Sequence, residues 1–207
     1  MKKRNKEQTK QKLLNAVAQI ILDKGFQGIG INSVAKTAGV DKVLIYRYFG
    51  GLNGLLKTYI LEEDFASQLD MLLKSDYVIG DKEDLKSTLK ELLIGRLRYL
   101  QENEDLQEIL LWELHEQNEV TKEAVRIREE QSVKLFDGLL ENVDVSRVDI
   151  QAVINLMTAG IYYLVLRSRT ADEFGGISIQ SRFGWMRLER AVSFLIDLTA
   201  DAAFAED

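Results

Sequence analysis

The chain contains neither proline nor cysteine, and it has a single histidine among 207 residues. Because proline interrupts helices, its absence favours an all-α fold built from long uninterrupted helices. The lack of cysteine excludes disulfides and thiolate metal ligands, which suits the reducing cytoplasm where we expect this protein. The basic N-terminus continues into an amphipathic segment, so we expect no secretory signal. A composition of 46% hydrophobic and 29% charged residues is typical of a soluble globular protein.

The lack of cysteine and the single histidine also argue against an enzyme. The chain has no phosphate-binding loop, and the glycines of "GFQGIG" do not have the spacing of a dinucleotide fingerprint. No pair of carboxylates stands out from the acids expected on helix surfaces. His115, with Glu119 four residues later, could supply half of a metal site, but such sites need three or four ligands. We therefore expect a surface histidine paired with a carboxylate, no metal site and no cofactor.

Charge is divided very unevenly along the chain. Residues 1–59 contain eleven Lys or Arg against three Asp or Glu, a net charge of +8, whereas residues 60–207 carry −14. A basic first quarter is the electrostatic signature of a module that binds a polyanion, and the acidic remainder would repel the same polyanion. The alternative is a lysine-rich terminus that is merely solvated.

The basic segment has the pattern of a helix-turn-helix. An apolar stripe predicts a first helix over residues 7–24, ended by Gly25. Asn32 or Ser33 can cap a second helix that runs through Ala38. After a short turn, Asp41 is the expected cap of a third helix over residues 42–49. Two short helices joined by a glycine-containing turn, after a longer helix, form this motif.

The third predicted helix has two different faces. At 100° per residue, Leu44, Ile45, Tyr48 and Phe49 face a small core. The other face presents Lys42, Val43, Tyr46 and Arg47. In a DNA major groove, Lys and Arg can reach guanine, Val can contact a thymine methyl, and a tyrosine hydroxyl can bond a phosphate oxygen. The alternative is a core helix with snorkelling charges and buried tyrosines.

Residues 7–60 resemble the DNA-binding domain of the TetR/AcrR family of bacterial transcriptional regulators. The matching segments are "LLNAVAQIILDKGF", "VAKTAGVDKVLIYRYF" and "LLKTYI", and the matching motif positions are Ala38, Gly39, Val40, Asp41, Ile45, Tyr46, Tyr48 and Phe49. The resemblance implies that Lys42 and Val43 contact bases, that Tyr46 and Tyr48 contact phosphates, and that Phe49 belongs to the core. With the N-terminal arm included, the candidate DNA-binding residues are Lys42, Val43, Tyr46, Arg47, Tyr48, Asn32, Lys2, Lys3 and Arg4.

The chain departs from the family pattern at two places. Leu44 replaces a frequent Ser or Thr, and Leu52 in "GGLNGLL" stands where relatives carry a phosphate-binding lysine. The glycines at 50, 51 and 54 should also loosen the start of the fourth helix, since glycine there costs up to ~1 kcal/mol relative to alanine. We expect fewer phosphate contacts than in a typical relative, offset by the arm "KKRNK".

The rest of the chain is predicted to form successive helices. One of them carries an apolar stripe of leucines at positions 85, 89, 92, 93, 97 and 100, and "ADEFGGIS", with its glycine pair, is predicted to be a loop. We place the domain boundary after residue 51, with a DNA-binding domain over 1–51 and an effector-binding and dimerisation domain over 52–207. Residues 152–166 are apolar on nearly every side but too short to span a membrane. A partner's surface explains this best, so we predict a homodimer through residues 147–169 and 178–200. The alternative is a core helix buried within one chain.

The resemblance implies a ligand-responsive regulator, most simply a repressor. A dimer of this kind binds a palindromic DNA operator, and a small-molecule effector releases it by changing the separation of the recognition helices. Aromatic and neighbouring residues of the helical body are candidates for the effector pocket: Tyr99, Trp112, His115, Phe136, Met157 and Tyr162. The alternative function is a helical DNA-binding architectural or dimerisation protein that has no effector.

Overall fold

The computed structural model describes residues 2–63 and 79–205, and it describes the side chains of these residues except those of 2–5, 62 and 63. The fold is all-α, as predicted. The helices within these residues are α1 (Lys2–Lys24), α2 (Ile31–Ala38), α3 (Val43–Phe49), α4 (Leu52–Glu63), α5 (Lys82–Glu102), α6 (Glu104–His115), α7 (Glu119–Leu139), α8 (Ile150–Ser168) and α9 (Arg182–Ala203).

The chain divides into two compact units. The first comprises Met1–Ser67 and Asn103–Glu130, and the second comprises Gln68–Glu102 and Gln131–Asp207. Helix α6 and the first half of α7 therefore belong to the same unit as the helix-turn-helix. The functional boundary after residue 51 stays a prediction.

The first unit has an apolar core to which α6 and α7 contribute. The predicted stripe of α1 is buried throughout, and Ile45 of α3 and Leu55 of α4 are fully buried beside it. Trp112 of α6 stacks on Phe26, which lies in a short 3-10 turn after α1, with ring centroids 4.0 Å apart and planes 2° from parallel. This core fixes the helix-turn-helix to a segment far away along the chain.

The second unit is built on α5, α8 and α9. Every leucine of the predicted α5 stripe is buried: Leu85, Leu89, Leu92, Leu93, Leu97 and Leu100. Ion pairs from α5 to α9 connect Lys86 with Asp201, Lys90 with Asp197, and Arg98 with Glu189. In each of these pairs the two residue numbers add to the same value, which is the signature of an antiparallel helix pair in one fixed register.

A short β-hairpin replaces the loop predicted at "ADEFGGIS". Strands β1 (Glu173–Phe174) and β2 (Ile177–Ser178) pair antiparallel. Gly175 and Gly176 connect them with φ of 55° and 77°, the left-handed conformation that a two-residue type I′ turn requires at both positions. The glycine pair was a correct signal for a turn, but two-residue strands are too short for a recognisable alternation of apolar and polar residues.

Several helix starts differ from the sequence prediction. Helix α1 begins at Lys2 instead of residue 7, so the basic arm is helical. The N-cap of α2 is Gly30, and Asn32 lies inside the helix, so the capping role predicted for Asn32 or Ser33 is wrong. The Ser33 hydroxyl instead donates to the carbonyl oxygens of Gly28 and Gly30, which bonds the preceding turn to α2.

Candidate nucleic-acid interface

Helix α3 presents the side chains predicted from its periodicity. Lys42, Val43, Tyr46 and Arg47 are exposed, Val43 by 60% and Tyr46 by 55%, whereas Ile45 is fully buried. Leu44, Tyr48 and Phe49 are half-buried, and Tyr48 and Phe49 pack against the core. The two-faced helix is thus confirmed, and the alternative of a core helix with snorkelling charges is wrong for this element. The exposed face combines two cations, a phenol and a branched aliphatic group.

The turn before α3 is defined by a small number of contacts. Gly39 ends α2 in the left-handed conformation with φ of 64°, and the Val40 amide donates back to the carbonyl of Ala35. The Asp41 carboxylate then accepts a hydrogen bond of 2.8 Å from the Val43 amide. Asp41 therefore satisfies a free N–H at the start of α3, as a capping residue does, but α3 begins one residue later than predicted, and Lys42 instead of Asp41 holds its N-cap position. The exposed face of α3 begins directly at this turn.

The "GGLNG" segment after α3 requires its glycines. Gly50 and Gly51 have φ of 76° and 131°, where side chains other than hydrogen are strained. A Cβ on Gly54 would lie 1.8 Å from the Phe49 carbonyl oxygen. The expectation that Gly54 loosens the start of α4 is therefore wrong, because here glycine permits a close approach of α4 to the end of α3.

For the other candidate DNA-binding residues the structure gives less information. Asn32 is exposed on α2, one helix before α3. The side chains of Lys2, Lys3 and Arg4 lie outside those that the structure describes. Leu52 is half-buried against the core of the first unit, as an apolar side chain at this position should be. The DNA contacts of Asn32, Lys2, Lys3 and Arg4 stay predictions.

Two interactions in the first unit were not predicted from the sequence. The Lys6 ammonium lies 5.7 Å from the centroid of the Tyr48 ring. Lys57 of α4 lies 3.9 Å from Glu123 of α7. Residues separated by about 40 or more positions cannot be paired by helical periodicity, so only the three-dimensional structure could show these contacts.

The six candidate pocket residues are distributed over both units. Trp112 and His115 belong to the first unit, and Tyr99, Phe136, Met157 and Tyr162 belong to the second. Phe136 and Met157 are buried, Tyr99 and Tyr162 are half-buried, and His115 is exposed. In the second unit a surface groove of about 370 Å³ is lined by other side chains: Ile94, Met186, Glu189, Arg190, Ser193, Phe194 and Asp197.

Trp112 and His115 have defined partners of their own. The Trp112 indole N–H donates to the Glu116 carboxylate at 2.9 Å, and Trp112 lines a cavity of about 390 Å³ in the first unit with Leu56 and Val120. The Nδ1 atom of His115 lies 2.8 Å from the Leu111 carbonyl oxygen, so its contact is not the predicted carboxylate. No group of three or more His, Asp or Glu able to hold a metal occurs within residues 2–63 and 79–205.

The described chain has one helix, α8, that is long and apolar enough to cross a membrane by length and composition. Only 28% of its apolar window is buried in the single chain. Its apolar character extends beyond the residues 152–166 singled out from the sequence. One such helix is weak support for a membrane span.

The three N-terminal helices and their turns define a helix-turn-helix domain attached to a larger all-α body. Residues 13–58 match the family model described as bacterial regulatory proteins, tetR family. This match confirms the resemblance found in the sequence, and the chain carries the DNA-binding domain of the TetR family. The family and the fold point to a transcriptional regulator, not to an enzyme.

Solved structures share the fold over nearly the whole chain. A TetR family transcription regulator from Marinobacter aquaeolei VT8 is 19% identical, with 98% of each chain covered and a TM-score of 0.64. The regulator FadR from Bacillus subtilis in complex with stearoyl-CoA is 17% identical, with 90% of this chain and 96% of that chain covered and a TM-score of 0.62. The fatty acid degradation regulator FadR from Bacillus halodurans is 20% identical, covers 90% and 93%, and has a TM-score of 0.62. No curated protein matches the chain.

Proposed function

We propose that this protein is a ligand-responsive transcriptional repressor of the cytoplasm that binds a palindromic DNA operator as a homodimer. The observation that supports this most directly is the exposed face of α3, with Lys42, Val43, Tyr46 and Arg47. These groups match what a major groove offers, since cations reach guanine acceptors and phosphates while an aliphatic group contacts a thymine methyl. The net charge of +8 over residues 1–59 supplies the long-range attraction.

The proposed dimer uses α8, which lies within the predicted range 147–169, and α9, which overlaps the predicted range 178–200 and extends to Ala203. Helix α8 buries one face through Ile154, Met157 and Ile161, yet Leu156 on the other side is 75% exposed. On α9, Phe183 is 65% exposed and Phe194 is 61% exposed. Large apolar side chains in this number are characteristic of an interface between subunits, because a monomer would leave them in water.

Small side chains on the exposed side of α8 would permit close contact with a second copy. Ala152, Ala159 and Gly160 are exposed, and a Cβ placed on Gly160 meets no atom within 4 Å. Two α8 helices could therefore approach each other at short distance across a two-fold axis. A two-fold dimer would place two α3 helices against two half-sites about 34–36 Å apart, which explains the expected palindrome.

The effector is proposed to bind the helical body and to change the separation of the two α3 helices. The candidate pocket residues remain Tyr99, Trp112, His115, Phe136, Met157 and Tyr162. Because FadR from Bacillus subtilis is described in complex with stearoyl-CoA, long-chain acyl-CoA is the first effector class to test. Binding of effector and of DNA must be coupled reciprocally, so an effector that releases DNA binds less tightly to the DNA complex.

Fluorescence anisotropy tests the DNA-binding function. Labelled DNA from upstream of the protein's own gene is titrated against scrambled DNA across a salt series. We expect preferential binding that weakens steeply with salt, and its loss in Tyr46→Ala and Lys42→Ala. Lys122→Ala is the matched control, because Lys122 is an exposed lysine in the first half of α7.

The result that opposes the proposal is equal and weak binding to both DNAs. A thermal-shift screen on the purified protein separates the regulator from an architectural protein without effector. A regulator has a ligand that raises the melting temperature and lowers DNA affinity, whereas the architectural alternative has none. Stearoyl-CoA and shorter acyl-CoA esters form the first panel, with free coenzyme A as the control.

A further inference from the structure

Lys6 of α1 contacts an aromatic residue of α3. Its ammonium lies 5.7 Å from the centroid of the Tyr48 ring, within the range of about 6 Å at which a cation is attracted to an aromatic face. Tyr48 is half-buried, while Lys6 is exposed. The ring is therefore held by the core of the first unit, and the flexible lysine is held by the ring.

This contact places a positive charge near the end of α3, where Tyr48 is the last residue but one, although the Tyr48 ring belongs to the core side of that helix. Tyr48 directly follows Arg47 and lies two residues after Tyr46, both of which are exposed. The nearest acid in sequence, Glu7, lies 3.7 Å from Lys10. Among the side chains that the structure describes, no carboxylate forms an ion pair with Lys6. Its charge is thus available to an external anion at the border of the proposed interface.

We infer that Lys6 contacts a DNA backbone phosphate within each half-site and that the Tyr48 ring positions it there. This inference rests on the proposed DNA-binding function. The cation–π contact uses the charge of the ammonium but leaves its N–H groups available as donors to a phosphate oxygen. Because α1 is helical from Lys2, this lysine is presented by a folded element and not by a flexible arm.

Lys12 provides a matched control on the same helix. It lies six residues after Lys6, so at 100° per residue its side chain projects about 240° further around α1. Lys12 is exposed, as Lys6 is. Removal of either charge lowers the net charge of the basic segment equally, but it is Lys6 whose ammonium lies over the Tyr48 ring. The comparison separates a positioned contact from a general electrostatic effect.

The test measures the salt dependence of DNA binding for Lys6→Gln, Lys6→Arg and Lys12→Gln in the full-length protein. Each phosphate contact contributes about 0.9 to the slope of log affinity against log salt. Lys6→Gln should therefore flatten the slope by about 0.9 for each protomer bound, which is a roughly threefold change in relative affinity between 50 and 200 mM salt. Lys6→Arg should restore the slope, and Lys12→Gln should leave it almost unchanged.

A second pair of variants tests the positioning by Tyr48. In a Tyr48→Phe background the ring is kept, so Lys6→Gln should still flatten the slope. In a Tyr48→Leu background the ring is lost, and Lys6→Gln should have a smaller effect. Equal slopes for wild type and Lys6→Gln, or equal losses for Lys6→Gln and Lys12→Gln, overturn the inference. Failure of the wild type to prefer its own DNA instead overturns the proposed function.

Discussion

Replacement of Gly54 by alanine should strongly destabilise the protein, although the same change in most helices is stabilising. Gly54 is the third residue of α4, and a Cβ there would lie 1.8 Å from the Phe49 carbonyl oxygen. Real Cβ contacts are essentially never shorter than 3.0 Å, so α4 and the end of α3 would have to separate by about 1.2 Å. The atom that blocks the space belongs to the backbone and cannot rotate away.

The expected magnitude follows from two opposing effects. Alanine is favoured over glycine in a helix interior by up to ~1 kcal/mol. Forced overpacking in a well-packed region costs about 1–3 kcal/mol, and a backbone contact this short belongs at the upper end. We therefore expect Gly54→Ala to lower the free energy of unfolding by about 2 kcal/mol. In a chain of this length, that corresponds to a decrease of about 4–8 °C in melting temperature.

Gly138→Ala is the control for this prediction. Gly138 is exposed in α7, and a Cβ there meets no atom within 4 Å. Without a clash, only the helix preference remains, so Gly138→Ala should be stabilising by up to about 1 kcal/mol. Both variants are measured by thermal and urea unfolding followed by circular dichroism. A Gly54→Ala protein as stable as wild type, or stabilised like Gly138→Ala, would refute the predicted close approach of α3 and α4.

Three further predictions follow from the described contacts. Arg128 and Glu113 form a bidentate ion pair at 2.7 and 3.1 Å, with side chains 14% and 7% exposed. Arg128→Met should lower the free energy of unfolding, measured in urea, by about 3 kcal/mol, because it leaves the Glu113 carboxylate buried without its partner. Adding Glu113→Leu should recover most of this loss. Burial raises the pKa of Asp105 above its ordinary value of 3.8. The contribution of this carboxyl to the free energy of unfolding is therefore most favourable below pH 3.8 and is lost as pH rises through its folded pKa. Asp105→Asn should be stabilising at pH 7, with a gain that shrinks as pH approaches about 4. Leu156→Asp should shift sedimentation from dimer to monomer, whereas Leu114→Asp, at a site exposed by 76% on α6, should leave the dimer intact.

Each of these three predictions has a result that would contradict it. An unaffected stability in Arg128→Met would show that the ion pair is solvated. An Asp105→Asn gain that stays constant with pH would mean that the carboxyl is not desolvated. A Leu156→Asp protein that still sediments as a dimer would remove α8 from the interface.

Local sequence patterns predicted much of the fold because helices are governed by contacts three and four residues apart. The stripe of α1, the leucines of α5 and the two faces of α3 were all evident from periodicity. Asp41 was identifiable as a capping residue because its role depends on an amide two residues away. The start of α2 is predicted wrongly because extended Gly30 takes the N-cap position without a side-chain cap, while the Ser33 hydroxyl bonds back to the Gly28 and Gly30 carbonyls, an arrangement that propensity does not encode.

Contacts between distant segments could not be predicted in the same way. The stacking of Phe26 on Trp112 joins residues 86 positions apart in the chain, and it places α6 in the unit of the helix-turn-helix. The sequence suggests Trp112 as a pocket residue on its residue type alone. The requirement for glycine at 54 also depends on a three-dimensional approach, since in the sequence it resembles any flexible glycine.

The central claim, that the exposed face of α3 recognises a two-fold symmetric DNA site, is tested most directly by selection from a pool of random duplex DNA. The purified protein should enrich an inverted repeat whose half-site centres are about 34–36 Å apart. Lys42→Ala should change or relax the preferred bases in each half-site without changing their spacing. Enrichment of no sequence by the wild type, or of the same half-site by Lys42→Ala and by variants of Val43 and Tyr46, would contradict the assignment of α3 as the recognition element.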